Sequence, residues 1–227
     1  MDLELLRSRR VAPSILSADF ARLGAEVDEV IAAGARVIHV DVMDGQFVPP
    51  ITMGPLVVGA LADRVHSAGA IIDVHLMIER PERQIAEFAR AGADNITFHV
   101  EATPHVHYTL AAIREAGCSA GAAICPATPA DSVAEVARDS LDLALCMSVD
   151  PGWGGQELIP ASLDKLARMR AALPDHVALE VDGGVHENTV GACVRAGAGV
   201  LVTGSAVFGS EDPAGAYTRI AAAAGAE

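Results

Sequence analysis

Short apolar runs recur along the chain, and five of them follow an Ala-Gly-small turn: AAGARVIHV, SAGAIIDVH, RAGADNITFHV, EAGCSAGAAI and RAGAGVLVTG. Glycine at such a turn ends a helix, and an uninterrupted apolar run after it reads as a strand buried on both faces. On that pattern strands are predicted over residues 10–15, 36–42, 70–77, 95–100, 120–125, 143–149, 177–181 and 199–203. Helices are predicted over about 19–33, after Pro55, from near Pro81, over 106–116, after Thr128-Pro129, after Pro160, after His186 and from Asp212-Pro213. Thr128 is the expected cap of its helix, with Pro129 at the first helical position.

This alternation gives eight strand–helix units with no composition break or long linker between them. The expected fold is α/β: a single (β/α)8 TIM barrel over 1–227, with 1–9 as an N-terminal extension. A doubly wound open sheet would carry a GxGxxG turn after its first strand, and Val11-Ala12-Pro13-Ser14 offers none.

Composition narrows the partners. Hydrophobic residues make up 51% of 227 and charged residues 20%, the balance of a chain with a large core. A net charge of −14 excludes nucleic acid and anionic membrane surfaces as general partners, because both need a basic face. The start, MDLELLRSRR, lacks the apolar stretch of a secretory signal, and no run is long enough to span a bilayer, so a cytoplasmic protein is expected. Cys118, Cys125, Cys146 and Cys193 form no CxxC pair and read as reduced thiols. Lys165 is the single lysine and falls in a helical pattern, which leaves Schiff-base chemistry almost without a nucleophile.

Barrel geometry turns sequence into location, since sites in this fold sit at the carboxyl ends of the strands. Ser14, His39, Asp41, His75, Met147, Asp182 and Gly204-Ser205 all fall there. One histidine or aspartate at a strand end is usually a core or turn residue. His39, Asp41, His75 and Asp182 together are a nitrogen and oxygen donor set suited to one divalent ion, Zn, Fe(II), Mn or Co. Glycines at 152, 154, 155, 183, 184 and 204 cluster on the loops after strands 6, 7 and 8, the recurrent phosphate position of the fold. Backbone dipoles there would let an acidic protein hold an anion. Met43, Met77 and Met147 read equally as core filler or as an apolar wall around a reactive intermediate. His66, His105, His107, His176 and His186 read as solvated, and His99 as a core group or a support behind the site.

The blocks VAPSILSADF, HVDVMDGQFVP, DVHLMIE, CPATP, MSVDPGWGGQ, EVDGG and GSAVFG closely resemble, in order, the motifs of the ribulose-phosphate 3-epimerase family. The likeness runs from Val11 to about Gly209. It implies an isomerase of the pentose phosphate pathway that interconverts D-ribulose 5-phosphate and D-xylulose 5-phosphate with one divalent metal and no organic cofactor. It also implies dimers or larger assemblies. Carried over by position, His39, Asp41, His75 and Asp182 would bind the metal, and Asp41 and Asp182 would be the acid/base pair. Ser14, His75, Gly152, Trp153, Gly154, Gly155, Asp182, Gly183, Gly184, Gly204 and Ser205 would contact the phosphorylated ketose. Two carboxylates suit the chemistry, because inverting carbon 3 removes a proton from one face and returns one to the other.

Three positions depart from the commoner family pattern: Asp150 and Cys125 stand where asparagine is frequent, and Trp153 where phenylalanine is usual. Aspartate before Pro-Gly is also a feature of allulose 6-phosphate 3-epimerases, an alternative that Gly154 disfavours. Phosphosugar lyases and decarboxylases resemble one another in an Asp-x-Lys-x-x-Asp motif, and Asp41-Val42-Met43-Asp44 has methionine where that lysine belongs. A non-catalytic phosphosugar-binding barrel would be expected to lack one of the two carboxylates.

Overall fold

The computed structural model describes residues 4–226, apart from the side chains of residues 137–139. Eight strands alternate with helices: β1 (Arg10–Pro13), β2 (Val37–Met43), β3 (Ile71–Met77), β4 (Asn95–His99), β5 (Ser119–Ile124), β6 (Leu143–Met147), β7 (Ala178–Asp182) and β8 (Val200–Thr203). The helices are α1 (Glu4–Arg7), α2 (Leu23–Ala32), α3 (Pro55–Ser67), α4 (Ile85–Ala91), α5 (Val106–Glu115), α6 (Ala134–Ser140), α7 (Ala161–Ala172), α8 (Val190–Arg195), α9 (Ser205–Phe208) and α10 (Pro213–Ala224).

All strand pairs are parallel, in the order β1-β8-β7-β6-β5-β4-β3-β2. The sheet comes round to a near-closed barrel at the seam between β1 and β2, where Ser14 and His39 form a parallel bridge. The turn glycines behave as the pattern requires: Gly34, Gly69, Gly92, Gly117 and Gly197 all have positive φ, between 68° and 114°. That conformation is costly for any residue with a Cβ, which is why the repeat is written with glycine.

Outward-facing strand residues such as Ile38, Val40, Ile72, Ile96 and Leu201 pack under the helices in the main apolar core. Inside the barrel the lower layer is apolar, with Val37, Ile71, Leu143 and Val200 in one cluster with Leu6. The expected N-terminal extension therefore contains α1, whose Leu6 is buried against the bottom of the barrel; residues 1–3 lie outside the described ones. Above this layer the interior turns polar, with His39, Asp73, Asn95, Thr97 and Glu180 fully buried.

Two local expectations change. The segment after Thr128-Pro129 begins as a 3-10 turn at Ala130–Ser132, and the Thr128 hydroxyl donates to Glu101 Oε1 instead of capping the helix. The helix expected from residue 19 starts at Leu23, because the Asp19 carboxylate accepts the Ala21 N–H in a local turn. At α10 the sequence signal holds, with Asp212 Oδ1 accepting the Gly215 N–H at 2.9 Å and Pro213 opening the helix.

Candidate functional site

Strand alternation sends every second side chain inward, so His39, Asp41 and Met43 of β2 share the barrel interior. The register with β3 places His39 beside Asp73, Asp41 beside His75 and Met43 beside Met77. Across the barrel, β6 and β7 pair Met147 with Asp182. The four expected metal ligands converge: donor atoms of His39, Asp41, His75 and Asp182 all lie within 4.8 Å of one another. His75 Nδ1 is 3.0 Å from Asp41 Oδ1 and 3.7 Å from Asp182 Oδ2, and His39 Nε2 is 3.3 Å from Asp41 Oδ1.

The ligand set fits a cation on its own chemistry. His39 Nε2 is buried without a hydrogen-bond partner and points at three other donors. Leaving such an atom unsatisfied is costly, and coordination would satisfy it.

A layer that the sequence reading did not single out supports these ligands. Asp73 Oδ2 is 2.7 Å from His39 Nδ1 and so holds the ring with Nε2 towards the cluster. Asn95 Nδ2 donates to Asp73 Oδ1 at 2.6 Å. Glu180 Oε1 lies 3.6 Å from His39 Nδ1. The signal for both acids was a spacing of two: Asp73 precedes His75 and Glu180 precedes Asp182, so each pair shares the interior face. His99, expected as a core or supporting group, is fully buried, and its Nε2 lies 2.9 Å from His75 Nε2.

Electrostatics separate the carboxylates. Burial alone would raise Asp41, but His39 and His75 beside it outweigh that and hold it far below the ordinary carboxylate range. Asp182 moves the other way, because burial and the nearby charge of Asp41 push it up to about 7. Glu180 is raised well above its ordinary value by burial and by Asp73. Burial would lower His39, yet Asp41 and Asp73 overcome it and raise the ring.

Above the cluster opens a cleft. Asp41 and Asp182 line it with Ser14, the three methionines, the 152–155 loop, Gly183-Gly184 and Gly204-Ser205. His39 and His75 lie buried beneath it. Gly183 and Gly184 have φ of 116° and 65°, and a Cβ on Gly184 would stand 2.2 Å from the Leu158 nitrogen. The 150–156 loop is pinned by Gln156 Nε2, which donates to the carbonyls of Asp150 and Trp153 at 2.7 and 2.9 Å, while Trp153 stays 56% exposed at the mouth. Lys165, expected in a helix, lies in α7 and donates to the carbonyls of Cys125 and Pro126, outside this lining. His66 pairs with Asp94 on the surface, and His105, His107 and His176 are exposed. No helix among the described residues is long and apolar enough to cross a membrane.

Solved structures of like shape include a 3-hexulose-6-phosphate synthase, at a TM-score of 0.74 and 20% identity over 94% of this chain and 99% of that one, a likeness of fold. Among curated proteins, the ribulose-phosphate 3-epimerase of Escherichia coli (strain K12) is 50% identical over 205 residues, 89% of this chain and 90% of its own length. That of Bacillus subtilis (strain 168) is 47% identical over 215 residues, 93% of this chain and 97% of its own. The model of the ribulose-phosphate 3 epimerase family matches residues 10–208, which run from the first residue of β1 to the last of α9, and with these identities the chain belongs to that family of carbohydrate epimerases.

Proposed function

We propose that this enzyme interconverts D-ribulose 5-phosphate and D-xylulose 5-phosphate, with Asp41 and Asp182 exchanging the proton on carbon 3 from opposite faces. The observation that carries this reading is the placement of two carboxylates on one cavity, Asp41 from β2 and Asp182 from β7, strands that do not pair with each other. Carboxylates that reach one substrate from two sides can serve as base and acid in one turnover and exchange roles in reverse.

The phosphate would sit against the backbone of Gly183-Gly184 and Gly204-Ser205, with the 152–155 loop opposite and Trp153 over the mouth. This seat fixes the distance from phosphate to carbon 3. Met43, Met77 and Met147 wall the cavity beside the carboxylates and keep water from the intermediate. His39, Asp41, His75 and Asp182 would hold one divalent ion, Zn, Fe(II), Mn or Co, whose charge favours the negative charge that develops on the carbon 2 oxygen. Ser14 Oγ, 2.6 Å from Asp41 Oδ2, fixes that carboxylate as it gains and loses the proton.

Turnover in deuterium oxide tests this reading. Xylulose 5-phosphate formed from ribulose 5-phosphate is expected to carry deuterium at carbon 3. Unlabelled product, or no product after reconstitution with metal, would sink the two-base assignment. Comparing catalytic efficiency on ribulose 5-phosphate and allulose 6-phosphate tests the substrate length, with the pentose expected to be preferred.

A further inference from the structure

Outside the cavity, the exits of β4 and β5 carry a second group of metal-ligating atoms. His99 Nδ1 lies 3.3 Å from Glu101 Oε2 and 3.3 Å from Cys125 Sγ, and the three donors lie within 4.8 Å of one another. Nitrogen, oxygen and sulfur ligands of one tetrahedral Zn²⁺ stand roughly 3.3–3.8 Å apart, so the two distances from the ring nitrogen already match.

The surroundings hold these donors in place. Glu101 Oε1 accepts the Cys125 N–H at 2.8 Å and the Thr128 hydroxyl, which leaves Oε2 turned towards His99. Lys165 grips the Cys125 and Pro126 carbonyls at 2.8 and 2.7 Å and fixes the backbone that presents the thiol. The Phe47 ring packs on His99 with centroids 4.9 Å apart. The Glu101 side chain remains 26% exposed, beside a groove lined by Phe47, Arg80, Glu101 and His105, so an ion has a way in. A cation taken up there would displace the thiol proton to solvent.

We propose that His99 Nδ1, Glu101 Oε2 and Cys125 Sγ form a second seat, for a thiophilic divalent cation such as Zn²⁺ or Cd²⁺, and that filling it weakens binding at the His39, Asp41, His75 and Asp182 seat. The exclusion rests on the metal reading above and on one hydrogen bond, between His75 Nε2 and His99 Nε2 at 2.9 Å. That bond needs a single proton. With an ion on His75 Nδ1, His75 carries its proton on Nε2 and donates it to His99 Nε2. His99 then bears its own proton on Nδ1, which closes that atom to a cation. An ion on His99 Nδ1 reverses both rings and puts a proton on His75 Nδ1. Filling both seats would either break this bond, with two N–H groups facing each other, or leave one ring an imidazolate.

Titration of the full-length, chelator-stripped protein with Cd²⁺ tests this, read by bound Cd²⁺ and by the ultraviolet charge-transfer band of a Cd²⁺ thiolate. A band in the wild type that is missing in Cys125→Ser is expected; no band, or the same band in both, overturns the second seat. In Asp182→Asn, whose first seat is weakened, the band midpoint is expected at about tenfold lower Cd²⁺. Losing a negative charge would by itself move that midpoint the other way, so an equal or higher midpoint overturns the exclusion. Cys125→Ser protein that takes up no Cd²⁺ overturns the first seat, while the band in the wild type still decides the second.

Discussion

Ser14 Oγ donates to Asp41 Oδ2 at 2.6 Å across the seam where the barrel closes, and the same Ser14 bridges His39 through the backbone. Both side chains are buried, so the hydroxyl orients a carboxylate at the floor of the cavity. Ser14→Ala is expected to lower unfolding stability by about 1–3 kcal/mol, the usual cost of leaving a buried charged acceptor short of a donor. Turnover is expected to fall at least about tenfold, because Asp41 loses its fixed aim. Denaturant unfolding and steady-state kinetics on one preparation check both. Full activity in this variant would remove Ser14 from the positioning of Asp41.

Asp182→Asn separates the two faces of the substrate. Asp182 sits at the rim with 16% of its side chain exposed, so its replacement leaves the core packing intact. Epimerisation is expected to fall by about 10²-fold or more, while Asp41 still exchanges the carbon 3 proton of one epimer with solvent. Proton NMR of each epimer in deuterium oxide follows that exchange. Washout from both epimers at equal rates would show that Asp182 is not the second proton carrier.

Gly184 has a φ of 65°, and a Cβ there would stand 2.2 Å from the Leu158 nitrogen and 2.7 Å from its Cα. Backbone cannot step aside as a flexible side chain can, so Gly184→Ala must move the loop proposed to seat phosphate. About 1–3 kcal/mol of stability is expected to be lost, together with a KM rise larger than the drop in kcat. Gly54→Ala is the control, since no atom lies within 4 Å of its Cβ position and φ is −137°. Its stability is expected to stay within about 0.5 kcal/mol of the parent. An unchanged KM in Gly184→Ala would move the phosphate elsewhere.

The barrel was legible because its signals are local. Each Ala-Gly turn needs a left-handed backbone that glycine permits, and each run behind it is apolar on both faces, so strand order followed without knowledge of the packing. The expected ligands were legible for the same reason, since strand ends are located by their strands. What the sequence hid lies one layer down. Asp73 and Glu180 sit inside runs that read as buried strand, where a lone acid resembles an interruption until its partners across the barrel are known. Thr128 misleads because a threonine before proline looks like a cap, whereas its hydroxyl is taken by Glu101, 27 residues away in sequence. Contacts of that range leave no periodicity to read.

Glu101 gives a pH signature of that long-range contact. Burial would raise its carboxyl, but His99, the Thr128 hydroxyl and the Cys125 N–H all favour the ionised form and bring it from 4.5 down to about 2. A carboxylate depressed by folding stabilises the protein above its unfolded value, and that contribution is lost as pH falls through the folded one. Glu101→Gln is therefore expected to be less stable than the parent at pH 7 by about 1–3 kcal/mol, after allowance for partial exposure. The gap should close as pH falls from 4.5 to about 2. Urea unfolding across that range, followed by circular dichroism, measures it. A gap that stays constant with pH would mean that the substitution acts through packing, and that the charge of Glu101 does not hold the exits of β4 and β5 together.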